Sequence, residues 1–312
     1  MVRYPYPMLE RPMVFSVTKN KVRTSLVSEW VQTLPCTRAI DWGKIDVAFL
    51  GIPVVSLHNM FTSSYNLICN YRKAWRDVKT YHLEKDIFLE DLRFADLGNV
   101  RQPNGNQVSK IIEKVMYEMR SHHSHILPVC VGVEKSVDGS LLEGLKRSDS
   151  EKKIGVLQYS NNLDKELIKS LACSEGIESM HVIGIHGFTN CKSTMEEALQ
   201  AGMTYTPLPE MRKKGVIRTT KEVIEVMSNQ VDMIYVTVNM NVFDVLSQSM
   251  GSMMFTELIE SVYLAGLASK TVCFTIVYDE ETLEIEEAVN QGVYVMLNFL
   301  SGLCERKRKD DY

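Results

Sequence analysis

Short apolar segments recur along the chain, and stretches with helical periodicity separate them. Each segment is apolar at consecutive positions, so both of its faces are expected to be buried, as in a parallel sheet covered on both sides. The predicted strands span residues 46–52, 126–131, 154–157, 181–185, 233–238 and 271–277. This pattern predicts a central sheet of mostly parallel strands.

The segments between the strands carry the periodicity of amphipathic helices. Residues 107–120 place a stripe of five apolar side chains on one face. Capping boxes predict two more helix starts, one at Ser193 with Glu196 and one at Thr219 with Glu222. A further helix is predicted at 255–267.

The last predicted helix covers about 281–300 and is closed by Gly302. Strands and helices alternate without a linker or repeat, which predicts one three-layer α/β domain over residues 1–312. An N-terminal extension of about 1–40 and a charged C-terminal tail of about 303–312 flank its centre. The basic run at 306–309 is interpreted as part of a solvated tail.

Composition excludes several functional classes. The chain has 312 residues, 45% of them hydrophobic and 24% charged, with a net charge of -4. This balance gives no basic surface for nucleic acid, and no stretch has the length and apolar character of a signal peptide or membrane span. We expect a cytoplasmic protein that binds neither nucleic acid nor membrane.

Cysteine and histidine spacing does not favour a metal site. The seven cysteines include no C-x-x-C pair, which argues against structural zinc and against a secreted disulfide framework. The histidines at 122, 123 and 125 are too close in sequence for one well-formed site and are interpreted as a turn. No cofactor is predicted.

Polar residues follow three of the predicted strands, where ligands bind in open α/β sheets. They form the turns GVEKS at 132–136, SNNLD at 160–164 and NMNVFD at 239–244. These turns resemble the GGDHS, DAHxD and SxDxDxxDP motifs of the arginase and agmatinase (ureohydrolase) family. The segments at 49–53 and 95–100 are similar to two further family motifs, so the resemblance covers roughly residues 47–300 and implies the arginase-type fold, with roughly eight strands.

The resemblance also implies which positions would hold two manganese ions. The six corresponding residues are Lys135, Ser160, Asn162, Asp164, Asn239 and Asn241. Only Asp164 keeps the family's ligand type, and neutral Ser and Asn oxygens bind hard divalent cations less well than carboxylates do. We therefore expect no manganese, and an ion pair between Lys135 and Asp164 at the altered site.

These substitutions lead to a functional hypothesis. We expect a catalytically inactive family member that hydrolyses no arginine, has no catalytic residue, and either binds a small amine or guanidino ligand or acts through protein contacts. Glu257 and Asp244 match family positions and are the candidate ligand-binding residues, although Glu257 also fits a helix cap. The alternatives are a metal-independent enzyme using Lys135 and a residual manganese-dependent ureohydrolase. By resemblance, we expect a homo-oligomer, a trimer or hexamer.

Overall fold

A computed structural model describes residues 8–10, 26–33, 41–53, 61–101, 108–133, 136–173, 176–243, 252–279 and 286–310. The described residues form twelve strands, ten in the central sheet and two in a small separate sheet. They are β1 (Leu9–Glu10), β2 (Gln32–Thr33), β3 (Val47–Ile52), β4 (Tyr81–His82), β5 (Ile87–Phe88), β6 (Phe94–Val100), β7 (Leu127–Val133), β8 (Ile154–Tyr159), β9 (Ile177–Ile185), β10 (Met203–Pro207), β11 (Met233–Asn239) and β12 (Thr271–Tyr278). All six predicted strands are confirmed, each within a few residues of its expected bounds.

Helices cover both faces of this sheet. They are α1 (Val27–Trp30), α2 (Phe61–Ala74), α3 (Val108–His122), α4 (Ser136–Ser148), α5 (Lys165–Cys173), α6 (Lys192–Gln200), α7 (Leu208–Lys214), α8 (Val216–Gln230), α9 (Phe255–Leu267) and α10 (Glu286–Asp310). The apolar sides of α2, α8, α9 and α10 belong to one core, and those of α3, α4 and α5 to a second core. Two cores separated by one sheet confirm the predicted three-layer α/β architecture.

Strand order places two of the predicted turns, those after β8 and β11, next to each other. The order is β1-β6-β3-β7-β12-β11-β8-β9-β10, with β2 also paired to β6. Strand β8 lies between β11 and β9 and is parallel to both, with Tyr159 opposite Val238 on one side and Ile183 on the other. Because the strands are parallel, the residues that follow β8, β9 and β11 emerge side by side.

The predicted capping boxes are wrong. Helix α6 already begins at Lys192, and Cys191 takes the N-cap position, with its Sγ 2.9 Å from the hydroxyl of Thr194. Helix α8 begins at Val216, because Gly215 adopts φ 89° and turns the chain directly from α7. The Ser/Thr-x-x-Glu spacing therefore lies inside both helices instead of at their starts.

The C-terminal prediction also needs correction. Helix α10 does not end at Gly302 but continues to Asp310. Gly302 is a packing residue, since a Cβ atom there would lie 2.0 Å from the carbonyl oxygen of Tyr263 in α9. Leu303 is buried, and Lys307 forms a 2.8 Å ion pair with Asp46. The segment interpreted as a solvated tail is therefore docked on the domain.

No helix in the described ranges has both the length and the apolar character needed to cross a membrane.

Candidate active site

Four of the six predicted positions form one hydrogen-bonded cluster beyond β8 and β11. The hydroxyl of Ser160 lies 3.2 Å from Asn162 Oδ1 and 3.4 Å from Asn241 Oδ1, and it can donate its single hydrogen to only one of them at a time. Asn241 Nδ2 donates to Asn162 Oδ1 at 3.3 Å. The backbone N–H of Asn241 donates to Asn239 Oδ1 at 3.1 Å. We call Ser160, Asn162, Asn239 and Asn241 the amide cluster.

One donor of the amide cluster is buried without a hydrogen-bond partner among the described residues. Asn239 is 2% exposed, and its Oδ1 is already used by the N–H of Asn241. This bond fixes the amide orientation, so the orphan atom is Nδ2. Buried donors are normally satisfied by protein, water or ligand, so Asn239 Nδ2 is available to an acceptor that enters the site.

Asp164, the fifth predicted position that the structure describes, lies at the start of α5. It is 4% exposed, and its Oδ1 accepts a hydrogen bond from Leu167 N at 3.4 Å, as an N-terminal helix cap does. The helix expected directly after Asp164 is confirmed. Lys135 and Asp244 lie outside the described residues, so the Lys135–Asp164 ion pair stays a prediction.

The loop after β9 completes this edge of the sheet. The hydroxyl of Thr189 lies 2.6 Å from the carbonyl oxygen of Asn161 and 2.8 Å from that of His186, and it donates to one of them at a time. Asn190 binds the same turn from the other side, since its Oδ1 accepts from Leu163 N at 2.7 Å. These contacts tie the backbone at His186 to the turn that carries Asn162.

His186 is one of two titratable residues in this loop, the other being Cys191. Desolvation lowers the pKa of its imidazole, and the positive charge of Arg212 lowers that pKa further. Its Nε2 is enclosed and has no hydrogen-bond partner within the described structure. At pH 7 His186 is therefore neutral and can accept a proton.

An ion pair lies at the rim of the site. Arg212 of α7 donates from Nε to Glu257 Oε1 at 3.0 Å and from Nη2 to Glu257 Oε2 at 3.2 Å. Glu257 Oε2 also accepts from Met254 N at 2.8 Å and so caps α9. The N–H of Met253 donates to Val242 O at 3.0 Å, which ties this end of α9 to the turn that carries Asn241.

A buried acid supports the strand beneath the amide cluster. Asp138 of α4 accepts from the hydroxyl of Tyr235 at 2.6 Å and from that of Thr237 at 2.9 Å. Desolvation first, and the charge of Asp138 second, raise the pKa of Tyr235 well above its usual range. The Tyr235 hydroxyl therefore stays protonated, and together with that of Thr237 it holds β11 against α4.

The described donor atoms do not fit a two-manganese centre. Such a centre needs several carboxylate or imidazole ligands to neutralise two dications. Here the described positions provide one carboxylate, one hydroxyl and three amides, and the orphan atom Asn239 Nδ2 is an N–H donor that cannot ligate a cation. No described group of three or more His, Cys, Asp or Glu side chains is arranged to hold a metal ion.

Sequence reasoning identified the amide cluster but not its surroundings. Arg212, Asp138, Asn190 and His186 were not predicted as site residues. Polar residues after the end of β9 were the available signal for His186 and Asn190. Arg212 and Asp138 lie inside helices, where a charged residue carries no such signal.

Comparison with known proteins identifies the class. A model of the arginase family matches residues 45–249, which is more than half of the chain, so the chain belongs to the arginase family. It is 24% identical over 255 residues to a formimidoylglutamase of Halalkalibacterium halodurans, covering 75% of this chain and 79% of that protein.

Solved structures share the fold. A formimidoylglutamase of Bacillus subtilis has a TM-score of 0.79 at 20% identity, covering 93% of this chain and 94% of the other. A Trypanosoma cruzi formiminoglutamase with Mn²⁺ has a TM-score of 0.77 at 12% identity, covering 91% and 99%.

These relatives contradict the functional hypothesis drawn from the sequence. The matched proteins bear the names of enzymes, and one of the similar structures contains manganese. The prediction of an inactive, metal-free pseudoenzyme is therefore wrong. It treated the replacement of ligand residues as evidence of lost activity, which replacement alone does not establish.

Proposed function

We propose that the protein hydrolyses a carbon–nitrogen bond of a small amidine compound of the formimino type, with N-formimidoyl-L-glutamate as the first substrate to test. The observation that carries the proposal is the sequence match to formimidoylglutamases over most of both chains. The amide cluster and His186 supply a polar site at the edge where α/β sheets bind ligands.

The chemistry of the cluster suits an amidine. An amidine group has N–H donors and a polar, planar carbon centre, and Asn162 and Asn241 offer side-chain oxygens to such donors. Asn239 Nδ2 offers a donor for the oxygen that becomes attached to the amidine carbon. A donor placed where charge develops stabilises the transition state.

His186 is proposed as the proton-transfer residue. Water attacks the amidine carbon, a carbon–oxygen bond forms, and His186 accepts the proton that the water loses. The remaining hydroxyl proton moves to the nitrogen that is retained, the carbonyl forms as the other carbon–nitrogen bond breaks, and the departing nitrogen receives the first proton from His186. The products are an amide and an amine, and the imidazole is returned to its neutral form. Because the described donors do not fit two manganese ions, no step is assigned to a metal.

We also propose that Lys135, Ser160, Asn162, Asp164, Asn239 and Asn241 occupy the positions of the family's manganese ligands. The order of the three turns along β7, β8 and β11 supports this assignment. A homo-oligomer remains part of the proposal, and Asp244 stays a candidate ligand-binding residue.

Proton NMR of reaction mixtures tests the proposed activity. The purified protein is incubated with N-formimidoyl-L-glutamate, arginine or agmatine, each with added Mn²⁺ and with EDTA. Enzyme-dependent release of glutamate from the formimino compound is expected. The proposal is rejected if no substrate is consumed under either metal condition by protein that is folded.

A further inference from the structure

The guanidinium of Arg212 binds both carboxylate oxygens of Glu257, so a ligand guanidinium would compete with it for this carboxylate. Both oxygens of Glu257 accept from Arg212, and Oε2 accepts from Met254 N as well. The Glu257 side chain is only 10% exposed. A ligand guanidinium could bind both oxygens of this acid only by displacing Arg212.

Arg212 is also held independently of Glu257. Its Nη2 donates to the carbonyl oxygen of Ser252 at 2.8 Å, so the guanidinium bridges α7 and the segment before α9. A planar guanidinium that makes several oriented bonds loses little further freedom on binding a ligand.

One part of the guanidinium remains available. Nε and Nη2 make the contacts described above, whereas Nη1 has no hydrogen-bond partner in the described part of the chain. The side chain is 37% exposed, so a ligand can reach it. The two N–H groups of Nη1 can therefore donate to a ligand carboxylate.

We propose that Arg212 determines ligand specificity by occupying the Glu257 carboxylate, so that the site rejects guanidino ligands and receives a ligand carboxylate at Nη1. This inference rests on the proposed function, which gives the location of the substrate, and adds the chemical class of the ligand. It assigns the substrate to the carboxylate-bearing amidines, and it assigns Glu257 to holding Arg212.

Titration calorimetry with two probes tests the inference without requiring turnover. The probes are N-formyl-L-glutamate, which carries carboxylates, and ethylguanidinium chloride. Wild-type protein should bind N-formyl-L-glutamate at least tenfold more tightly than ethylguanidinium. Arg212→Met should reverse this order, with a loss of at least tenfold for the first probe and a gain of at least tenfold for the second. The gained affinity should disappear in the double variant Arg212→Met/Glu257→Gln.

Arg218→Met is the matched control, because Arg218 forms a comparable 2.8 Å bond with Glu222 on the surface of α8. It should bind both probes as the wild type does. A folded Arg212→Met protein that gains no affinity for ethylguanidinium overturns the inference. If Arg212→Met does not fold, Arg212→Lys is measured instead, because lysine keeps the charge but contacts Glu257 at a single point. Arg212→Lys should show an intermediate gain in affinity for ethylguanidinium. Affinities equal to those of the wild type would overturn the inference. If Arg212→Met does not reverse the order of the two probe affinities but the wild-type protein hydrolyses the formimino substrate, the inference fails and the proposed function stands.

Discussion

Individual charge pairs in this protein differ sharply in burial. The side chains of Arg72 and Asp96 are 3% and 0% exposed, and the guanidinium donates to both carboxylate oxygens at 2.7 and 2.9 Å. Arg72 also donates to Asn99 Oδ1 at 2.8 Å. Removing one member of such a pair leaves the other charge buried without compensation.

Arg72→Met is therefore expected to lower the free energy of unfolding by about 3–5 kcal/mol. Arg218→Met, which removes an exposed pair, is the matched comparison and should cost under about 1 kcal/mol. Urea denaturation followed by circular dichroism measures both values. Equal losses in the two variants would show that burial does not set the strength of the Arg72 pair.

Single residues also show what the sequence could and could not reveal about the site. Ser160, Asn162, Asn239 and Asn241 were predictable, because each lies at or just beyond the end of an apolar strand and parallel strands bring such ends together. The bond between Arg212 and Glu257 was not predictable. It joins residues that are 45 positions apart and lie in two different helices, and neither helical pattern indicates which charged side chains pair.

Among the elements, edge strand β10 is joined to β9 by side-chain hydrogen bonds as well as by backbone pairing. His181 Nδ1 lies 2.8 Å from the hydroxyl of Thr204, and Nε2 lies 2.9 Å from that of Thr206. The Thr204 hydroxyl donates to Met180 O, so it accepts from Nδ1–H, and Nε2 accepts from Thr206. The neutral imidazole therefore links the two strands, and protonation would remove the acceptor.

This link makes stability sensitive to acid. Burial lowers the pKa of His181 from its usual 6.5 to about 4 in the folded protein. The unfolded state therefore binds the proton first, and the stabilisation present above pH 6.5 is lost as the pH falls toward 4. The expected loss is about 1–3 kcal/mol, and His181→Gln should remove most of this dependence. Urea titrations between pH 7 and 4 measure it, and identical pH dependence in wild type and variant would contradict the account.

The elements themselves were largely predictable from periodicity, but their ends were not. The apolar segments gave six strands, and α9 matches its predicted range of 255–267. Helix α10 extends beyond its expected end because Gly302 packs against α9, a long-range contact that a local sequence rule cannot detect. The starts of α6 and α8 depend on the side chain of Cys191 and the backbone of Gly215, which the Ser/Thr-x-x-Glu spacing does not determine.

On the scale of the whole molecule, the last two turns of α10 connect distant parts of the domain. Leu303 and Cys304 are buried, and Lys307 and Arg308 pair with Asp46 and Asp91. Arg306 donates to the carbonyl oxygen of Ala268 after α9. The charged end of the chain therefore contributes to the fold of the domain.

Deletion of residues 303–312 is expected to destabilise the protein by about 3 kcal/mol or more, because it removes buried apolar side chains together with these pairs. Deletion of residues 311–312 alone leaves α10 whole and should have little effect. Urea denaturation gives the stabilities, and light scattering on a size-exclusion column shows whether either deletion changes the oligomeric state. Equal stability of the two truncated proteins would contradict the docked role of this segment.

The central claim is that hydrolysis takes place beside the amide cluster with His186 as the proton-transfer residue, and the turnover number of His186→Gln tests it most directly. Because a positioned general base contributes on the order of 100-fold or more, kcat for N-formimidoyl-L-glutamate should fall by about that factor while KM changes little. His125→Gln, which alters a histidine outside the site, should retain the wild-type kcat. A folded His186→Gln protein with undiminished kcat would contradict the account.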